Sequence, residues 1–296
     1  MSSAIVFGPA EEANARSLID LAIAEDLGTR GDITANATIP AQAPGSVRFV
    51  ARREGVVAGM PVVALVIARF GLEGGWSCLV EDGTHVERGT TLATLKGPMR
   101  AVLGLERTAL NFLQRLSGVA TLTSRFVAAV SATKAVILDT RKTTPGWRSL
   151  EKYAVRCGGG RNHRIGLYDA VLIKDNHLAW LASEGDPIGR SIRMARDSAP
   201  NAAFVEVEVD GLDQFDRALE CGPDIILLDN LGADVLTEAV RRRDARAPGV
   251  LLEASGGVDL TTVASLARSG VDRISVGALT HSAPALDIGL DFDGAK

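Results

Sequence analysis

Cysteine is scarce in this sequence, and long apolar runs are missing from it. The 296 residues contain three cysteines, Cys78, Cys157 and Cys221, which are too few and too scattered for a disulfide framework. No two of them have the Cys-x-x-Cys spacing of a zinc or redox site. No segment approaches the roughly 18 unbroken apolar residues of a membrane span, and the first residues lack the basic-then-apolar order of a signal peptide. We therefore expect a cytoplasmic protein with no membrane partner.

Positive charge is also in short supply. The formal net charge is −4 and the isoelectric point is about 5.7, whereas a broad nucleic-acid-binding surface normally needs a domain isoelectric point above roughly 9 or a stripe of lysines and arginines. We therefore expect no nucleic-acid partner. With 46% apolar residues, the chain can bury a full core as one large α/β barrel or as two unequal domains.

One window reverses this charge balance. Residues 139–177 hold eight lysines and arginines against four aspartates and glutamates, a net charge of +4, which leaves −8 for the rest of the chain. The densest part is "CGGGRNHR" at residues 157–164. A local excess of cations in an acidic protein indicates a site for a small anion with several charges, because focused positive potential raises the local anion concentration. A solvated basic loop is the alternative.

The first part of the chain predicts a helix followed by several strands. "EEANARSLIDLAIAEDLG" has a helical apolar pattern that ends at Gly28. "SVRFVARREGVVAG" and "WSCLVEDGTHVERGTTLATLKGP" predict strands, and "EDGTHVERGTTLATL" is similar to the hairpins of small sandwich domains. Carrier and binding modules contain strands of this kind as well.

A long helix is predicted next, in "AVLGLERTALNFLQRLSGVATLTSRFVAAV". Its apolar face carries Leu105, Ala109, Phe112 and Leu116. Its opposite face carries Arg107, Asn111 and Gln114. Arg107 is therefore either a solvated surface residue or a residue that reaches a partner surface.

From about residue 134 onward, short β-branched runs alternate with helical segments. The runs are "AVILDT", "AVLIKD", "FVEVEVD", "DIILLDN", "VLLEASGG" and "VDRISVGA". Runs buried on both faces are typical of parallel strands, and the segments between them supply crossover helices. We therefore predict an α/β fold with a repeated β/α domain of roughly barrel size.

A polar residue or a glycine stands at or just beyond the C-terminal end of each run. These residues are Asp139 and Arg141, then Lys174, Glu208, Asp229, Ser255 with Gly256 and Gly257, and Gly277. In a barrel the C-terminal strand ends converge on one mouth, where the catalytic residues lie. Cations follow the first two strands, carboxylates the next two and glycines the last two, a sorting that loop polarity alone does not explain. The sequence therefore predicts one site with three subsites.

Two of the subsites have a readable chemistry. Gly256 and Gly257 precede a helix predicted to start near Asp259, so that backbone N–H groups and the helix dipole would face a phosphate. Glu208 and Asp229 are hard oxygen ligands suited to Mg²⁺. Glu206 shares a strand face with Glu208 and is a further candidate, while an ion pair with Lys174 is the alternative explanation for the carboxylates.

The third subsite is cationic and contains Arg141, Lys142, His163, Arg164 and Lys174. Several such groups in one pocket suit a substrate with more than one carboxylate, and a phosphate would accept them too. The glycines at 158–160 would form a flexible turn that aims His163 and Arg164 inward.

Long stretches of the chain resemble one family. The stretch "LDTRKTTPGWRSLEKYAVRCGGGRNHRIGLYDAVLIKDNH" is followed in order by "VEVEVD", "IILLDN", "LEASGGV" and "ISVGALTHS", and preceded by "EDLGTRGDIT" and "ERTALNFLQRLSG". Over nearly the whole chain these motifs resemble the quinolinate phosphoribosyltransferases, or nicotinate-nucleotide pyrophosphorylases. The resemblance implies a pentosyltransferase that uses Mg²⁺ to convert quinolinate and phosphoribosyl pyrophosphate to nicotinate mononucleotide, pyrophosphate and carbon dioxide in NAD biosynthesis.

The resemblance also implies roles for single residues. The quinolinate carboxylates would be held by Arg141, His163, Arg164 and Lys174, with Arg107 supplied by the other subunit of a homodimer. The catalytic groups would be Lys142 near the pyrophosphate, and Glu208 and Asp229 at the ribose and the metal. Phosphoribosyl pyrophosphate would be contacted by Thr140, Lys142, Ser255, Gly256, Gly257 and Gly277.

The architecture implied by the resemblance has two domains. An N-terminal α+β open sandwich domain would span residues 1–117, an incomplete (β/α) barrel domain with the active site would span 118–283, and a C-terminal tail, 284–296, would pack back on the first domain. The segment "LAWLASEGDPIGR" matches nothing in the family pattern, and assembly beyond a dimer is left open.

Two other functions stay open at this point. One is that of a paralogue with the same fold that is associated with molybdenum transport, and the other is that of a non-catalytic carrier or binding module. The intact "TRKTTPG" and "NHR" elements favour quinolinate, and "EDGTHVERGT" offers no lysine at a hairpin tip.

Overall fold

The structure is a computed structural model that describes residues 5–293. Its helices are α1 Pro9–Leu27, α2 Ile33–Thr38, α3 Met60–Arg69, α4 Met99–Val130, α5 Arg148–Cys157, α6 Asp175–Leu181, α7 Pro187–Ser198, α8 Leu212–Cys221, α9 Ala233–Arg246, α10 Val263–Arg268 and α11 Ala278–His281. Its strands are β1 Pro44–Ala51, β2 Gly55–Val56, β3 Trp76–Cys78, β4 His85–Val86, β5 Thr91–Pro98, β6 Val136–Leu138, β7 Val171–Ile173, β8 Val205–Val209, β9 Ile225–Asp229, β10 Leu251–Ser255, β11 Arg273–Ser275 and β12 Ile288–Phe292.

The chain forms two compact units. The first holds the described chain up to Ser124, residues 143–159 and the described chain from Leu279, and the second holds residues 125–142 and 160–278. Helix α4 continues through residue 117 and past Ser124, so the limits 1–117, 118–283 and 284–296 stay a prediction of the sequence. Residues 1–4 and 294–296 of these predicted segments lie outside the described residues.

The first unit is built on an antiparallel sheet with the strand order β12-β1-β5-β3. Phe49 at the centre of β1 pairs with Leu290 of β12 on one side and with Ala93 of β5 on the other. Helix α1 ends at Leu27 and is capped by Gly28, the predicted stop. The apolar face predicted for α4 is buried, since none of its four residues is more than 2% exposed.

The hairpin predicted between β4 and β5 is not formed in the described chain. Instead, β4 pairs with β2 and β5 pairs with β1. The connection between them is occupied by the end of β1, because the Gly89 N–H donates to the Ala51 carbonyl at 2.7 Å and the Ala51 N–H donates to the Thr90 carbonyl at 3.0 Å. The turn is therefore present as predicted, but its backbone pairs with the end of β1 and not within a β4–β5 hairpin.

The second unit is built on a six-stranded sheet with the order β6-β11-β10-β9-β8-β7. All neighbouring pairs are parallel, and the six strands coincide with the six predicted runs. Arg161 extends the sheet beyond β6 through a single parallel bridge to Leu138. Within residues 5–293 the edge strands β6 and β7 do not pair with each other, so the sheet is not closed. This confirms the predicted α/β fold with an incomplete (β/α) barrel and a separate antiparallel sheet.

Two further findings concern the whole described chain. Across residues 5–293 no helix combines the length and the apolar content needed to cross a membrane. Cys78, Cys157 and Cys221 are all free thiols.

Candidate active site at the C-terminal edge of the parallel sheet

The parallel strands of the second unit bring most of the predicted site residues to one edge of its sheet. Because all six strands run in the same direction, their C-terminal ends lie together. The register places Asp229 at the end of β9 directly opposite Ser255 at the end of β10. The edge thus collects Thr140, Arg141 and Lys142 after β6, Lys174 after β7, Glu208 in β8, Asp229, Ser255 to Gly257, and Gly277 after β11.

Carboxylates line a cavity of about 380 Å³ at this edge, which we call the outer cavity. Its acidic lining residues are Asp175, Glu208, Asp210 and Asp229. The Lys174 ammonium donates to Glu208 Oε2 at 2.6 Å, which is the ion pair considered as an alternative from the sequence. Four carboxylates facing one cavity with one lysine partner are a hard-oxygen donor set that fits a divalent cation such as Mg²⁺.

The segment that matches no family pattern also contributes to the outer cavity. Leu178 and Ala179 of α6, Ala182, and Pro187 and Ile188 of α7 lie along its wall. Asp186 caps α7 by accepting the Gly189 N–H at 3.1 Å, and the Arg217 Nε donates to the same carboxylate at 2.8 Å. The segment is therefore held against α8, and it shapes the cavity that contains the predicted metal ligands.

Asn230 was missed by the sequence analysis. It adopts a left-handed backbone conformation, with φ of 57°, immediately after β9. Its side-chain amide donates to Asp229 Oδ2 at 2.7 Å, and its backbone N–H donates to the Ser255 carbonyl at 2.8 Å. Asparagine is one of the few residues that tolerates this conformation, and this preference directly after a strand was the available signal.

The glycines after β10 form an open backbone turn. Gly256 and Gly257 have φ of +91° and +58°, and a Cβ on Gly256 would collide with Asn230 Oδ1. The assigned helix begins at Val263, and its first helical hydrogen bond runs from the Val263 N–H to the Asp259 carbonyl at 2.9 Å, so the helix starts near Asp259, as predicted. The Asp259 carboxylate accepts the N–H groups of Thr261 and Thr262 at 2.8 and 2.9 Å, as an N-cap side chain does at the start of a helix. Because Asp259 already binds the first N–H groups of this helix, an anion here would be bound by the glycine backbone.

The "RNHR" segment is held against the sheet by hydrogen bonds. Asp139, fully buried at the end of β6, accepts the His163 N–H at 2.9 Å and the Asn162 amide at 2.6 Å. His163 and Arg164 are each only 8% exposed, so the alternative of a solvated basic loop is wrong for these two residues. The bend comes from Gly159, whose φ is +85°.

Arg164 lies in a cationic environment. Burial, and then the positive charge of Arg141, lower the pKa of Arg164. Its Nη1 donates to the Ala170 carbonyl at 3.1 Å. Nearby on the same edge, Thr140 Oγ1 accepts the Lys142 N–H at 3.0 Å and Lys142 itself is exposed. Two guanidinium groups that repel each other in a partly buried place favour the binding of an anion.

Below this edge lies a group of charged side chains that we call the inner cluster: His163, Glu206, Glu253 and Arg273. His163 Nε2 lies 3.0 Å from Glu206 Oε2 and 3.4 Å from Glu253 Oε1, and both carboxylates are fully buried. Arg273 Nε donates to Glu253 Oε2 at 2.7 Å. Glu206, considered from the sequence as a further metal candidate, therefore contacts His163.

The pKa values of the inner cluster reflect its burial and its pairing. Burial and the charge of Glu253 raise the pKa of Glu206. Burial also acts to raise the pKa of Glu253, but His163 and Arg273 outweigh it and lower that pKa. Burial acts to lower the pKa of His163, whereas the neighbouring carboxylates of Glu206 and Glu253 act to raise it.

The inner cluster has three possible metal ligands, since one atom each of His163, Glu206 and Glu253 lies within 4.8 Å of the others. However, His163 Nδ1 accepts the Arg164 N–H at 2.7 Å, and a proton on Nδ1 would point at that donor. This hydrogen bond therefore selects the neutral ring with its proton on Nε2, despite the pull of the carboxylates toward a doubly protonated ring. A metal would need a deprotonated Nε2, so the inner cluster fits a proton better than a metal ion.

Arg107 belongs to the first unit and is exposed on α4. It lines a cavity of about 400 Å³ together with Glu25, Asp26, Asn111 and Trp147. Within residues 5–293 it forms no ion pair with either acidic residue. The structure of one chain leaves this guanidinium available to another molecule.

Comparisons with known proteins agree with the sequence resemblance. The family description "quinolinate phosphoribosyl transferase, N-terminal domain" matches residues 32–117, and "quinolinate phosphoribosyl transferase, C-terminal domain" matches residues 119–291. A nicotinate-nucleotide pyrophosphorylase (carboxylating) from Mycobacterium leprae is 49% identical over 281 residues, which cover 94% of this chain and 97% of the relative. A probable nicotinate-nucleotide pyrophosphorylase (carboxylating) from Bacillus subtilis is 40% identical, covering 93% of this chain and 92% of the relative.

A solved structure shows the same fold. The nicotinate-nucleotide pyrophosphorylase from Francisella tularensis matches with a TM-score of 0.88 at 37% identity, covering 99% of this chain and 100% of that one. With both family descriptions, the sequence relatives and the fold in agreement, the chain belongs to the quinolinate phosphoribosyltransferase family.

Proposed function

We propose that the chain is a quinolinate phosphoribosyltransferase, which converts quinolinate and phosphoribosyl pyrophosphate to nicotinate mononucleotide, pyrophosphate and carbon dioxide in NAD biosynthesis. The observation that carries this proposal is the single sheet edge that holds cations, carboxylates and a glycine turn. Family membership supports the choice of substrates. The cytoplasmic location expected from the sequence belongs to the same proposal.

The cations of the edge would bind the two carboxylates of quinolinate. Arg141, Arg164 and Lys174 supply three positive charges, and an arginine fork can hold a carboxylate through two parallel hydrogen bonds. Partial burial of Arg164 beside Arg141 strengthens the attraction for a doubly charged acid.

Arg107 would complete this subsite from the other subunit of a homodimer. Its exposure and its lack of an ion pair within residues 5–293 support this role. In a two-fold symmetric dimer each chain would give Arg107 to its partner and receive one in return, so two equivalent sites would form. Assembly of dimers into larger particles is left open.

The remaining residues of the edge would bind phosphoribosyl pyrophosphate. Thr140 and Lys142 would lie at the pyrophosphate, and the glycine turn with Ser255 and Gly277 would receive the 5′-phosphate. Backbone N–H groups of a turn without side chains can approach phosphate oxygens closely.

Glu208 and Asp229 would hold Mg²⁺, because they are hard oxygen ligands on the wall of the same outer cavity. The bound ion would neutralise charge on the departing pyrophosphate. As pyrophosphate leaves, positive charge builds on the sugar, and the carboxylates of Glu208 and Asp229 would stabilise it electrostatically.

Attack by the quinolinate nitrogen would then form the bond to the anomeric carbon, so catalysis rests mainly on positioning. Loss of the 2-carboxylate as carbon dioxide would follow, leaving the electron pair of the broken bond on C2, where the adjacent positively charged ring nitrogen stabilises it until C2 takes up a proton from solvent to give nicotinate mononucleotide. No side chain needs to act as a nucleophile.

The decisive experiment follows carbon dioxide release by the purified chain with quinolinate, phosphoribosyl pyrophosphate and Mg²⁺. We expect carbon dioxide and nicotinate mononucleotide in equal amounts, and no carbon dioxide when nicotinate replaces quinolinate. Absence of turnover with quinolinate, alongside turnover of another acceptor, would contradict the proposal and favour the paralogue associated with molybdenum transport. Binding without any turnover would favour a carrier or binding module.

The shared site can be tested with hybrid dimers. Arg107→Ala and Arg141→Ala chains should each be nearly inactive alone, whereas a dimer of the two has one site with both arginines intact. We expect a purified hybrid to recover about half the wild-type rate, since one of its two symmetric sites is complete. A verified hybrid without any recovered activity rules out donation of Arg107 across the interface.

A further inference from the structure

Both ring nitrogens of His163 are engaged by groups of the protein. Nδ1 accepts the backbone N–H of Arg164 at 2.7 Å. Nε2 lies 3.0 Å from Glu206 and 3.4 Å from Glu253. The ring also meets Phe204 edge to face, with 5.5 Å between the ring centroids. The side chain is only 6% exposed, and both nitrogens face protein groups at 3.4 Å or less, so the ring offers no exposed polar atom to a ligand.

The partners of the ring come from a rigid part of the sheet. Glu206 belongs to β8 and Glu253 to β10, with β9 between them. Arg273, directly opposite Glu253 in the parallel register of β11, donates to it and also lies over the Phe204 ring at 5.5 Å. The inner cluster is therefore fixed by the pairing of four strands, and its charges have little freedom to move.

Arg164 differs from His163, because some N–H donors of its guanidinium are available to a ligand. Within residues 5–293 its guanidinium makes one hydrogen bond, from Nη1 to the Ala170 carbonyl at 3.1 Å. Its other donors remain available to a carboxylate. The ring of His163 accepts its backbone N–H at 2.7 Å.

We propose that His163 is a positioning residue that transmits the register of β8 and β10 to the Arg164 backbone and so aims the Arg164 guanidinium at the substrate. This inference rests on the proposed function, in which Arg164 binds a quinolinate carboxylate. It replaces the direct substrate contact that the sequence predicted for His163. Glu206 and Glu253 then act indirectly, because they fix the orientation of the His163 ring.

Two variants separate the two nitrogens. In His163→Asn the side-chain oxygen can replace Nδ1 as acceptor for the Arg164 N–H, whereas in His163→Gln a polar group reaches the Nε2 position and the Nδ1 acceptor is lost. Because one neutral hydrogen bond is worth about 1 kcal/mol, we expect the quinolinate KM to rise about 3- to 10-fold more in the Gln variant than in the Asn variant. The KM for phosphoribosyl pyrophosphate should be the same in both.

The opposite order, or equal losses in both variants, would overturn the proposal, because a direct contact through Nε2 is better preserved by glutamine. Matched thermal unfolding curves of the two variants are the control for a purely structural loss.

A second measurement uses the wild-type protein and does not depend on folding of the variants. The chain has four histidines, so ¹⁵N labelling of histidine gives four ring spin systems. We expect the His163 ring to be neutral with its proton on Nε2 at neutral pH, and to keep that state when quinolinate saturates the site. A doubly protonated ring, or a change of tautomer on addition of quinolinate, would contradict the proposal.

The two proposals fail in different ways. If the wild-type chain has no turnover with quinolinate, the proposed function is wrong, whereas the ring state of the free protein still reports on the link to Arg164. If turnover is present and the ring is doubly protonated, the positioning role alone is wrong. Labelled protein with phosphoribosyl pyrophosphate but no quinolinate is the reference for general effects of ligand binding.

Discussion

Strand β8 carries two glutamates on one face, and their surroundings differ completely. Glu206 is fully buried and contacts His163 in the inner cluster. Glu208, two residues further on, pairs with the half-exposed Lys174 and lines the outer cavity with Asp229. The inner charges are paired with buried partners, whereas an outer carboxylate can exchange its half-exposed lysine partner for a ligand. Two residues along one strand therefore have different roles: the buried glutamate stabilises the site, and the glutamate at the cavity is available to a ligand.

The largest effect should come from breaking the inner cluster. Glu253→Ala leaves Arg273 and the His163 ring without their buried partner, and removal of one member of a buried pair typically costs about 3–5 kcal/mol. We expect the free energy of unfolding, measured by chemical denaturation, to fall by that amount. Glu253→Gln keeps an acceptor oxygen and should lose clearly less. If the alanine variant lost no more than a surface substitution, the separation into inner and outer charges would not hold.

The outer carboxylate should show the reverse pattern. Glu208→Ala removes a proposed metal and ribose contact, and we expect kcat/KM to fall about 100-fold, which corresponds to about 2.7 kcal/mol. Its partner Lys174 has a side chain that is 46% exposed, so stability should change by less than about 1 kcal/mol. Glu220→Ala, which removes an exposed carboxylate paired with Arg217, is the matched control and should leave kcat/KM unchanged. A large loss of stability in Glu208→Ala with normal kinetics would reverse the comparison.

A smaller effect is expected at the link between the carboxylates and the glycine turn. Asn230→Ala places an ordinary residue in the left-handed region, which costs about 1–2 kcal/mol, whereas Asn230→Gly tolerates that backbone. Both variants lose the hydrogen bond to Asp229. We therefore expect only the alanine variant to unfold at a lower temperature, and both to need more Mg²⁺ for half-maximal activity. Equal Mg²⁺ dependence of wild type and Asn230→Gly would show that Asn230 does not orient Asp229.

Much of the second unit could be predicted from the sequence, because continuous β-branched runs have few alternatives to buried parallel strands. The ends of these runs in the sequence are enough to place Lys174, Glu208, Asp229 and Ser255 at one edge of the sheet. The start of α10 near Asp259 could be predicted, because Asp259 caps the helix: its side chain accepts the N–H groups of Thr261 and Thr262, and its carbonyl accepts the Val263 N–H. The choice between a metal and a lysine partner for Glu208 stayed open, since it depends on which side chains meet across strands.

Other features depended on contacts that no local pattern encodes. The prediction of a β4–β5 hairpin was wrong because the end of β1, which is distant in sequence, forms the backbone hydrogen bonds with that turn. The engagement of both His163 nitrogens requires residues from β8 and β10 in a fixed register. In the sequence Asp139 is only a polar residue at a strand end, whereas in the structure its carboxylate binds the His163 N–H and so holds the "RNHR" segment against the sheet.

The pairing of β12 with β1 has a consequence for biosynthesis. Ser46 in β1 donates to Asp293 just after β12, across 247 residues of chain. A ribosome adds about 5–20 residues per second, so β1 waits roughly 10–50 s for the strand that completes its sheet. The second unit, whose six strands all emerge in between, has its full set of strands earlier. Although β1 is made first, its sheet is the last to be completed, and during translation its free edge is open to chaperones and to neighbouring nascent chains.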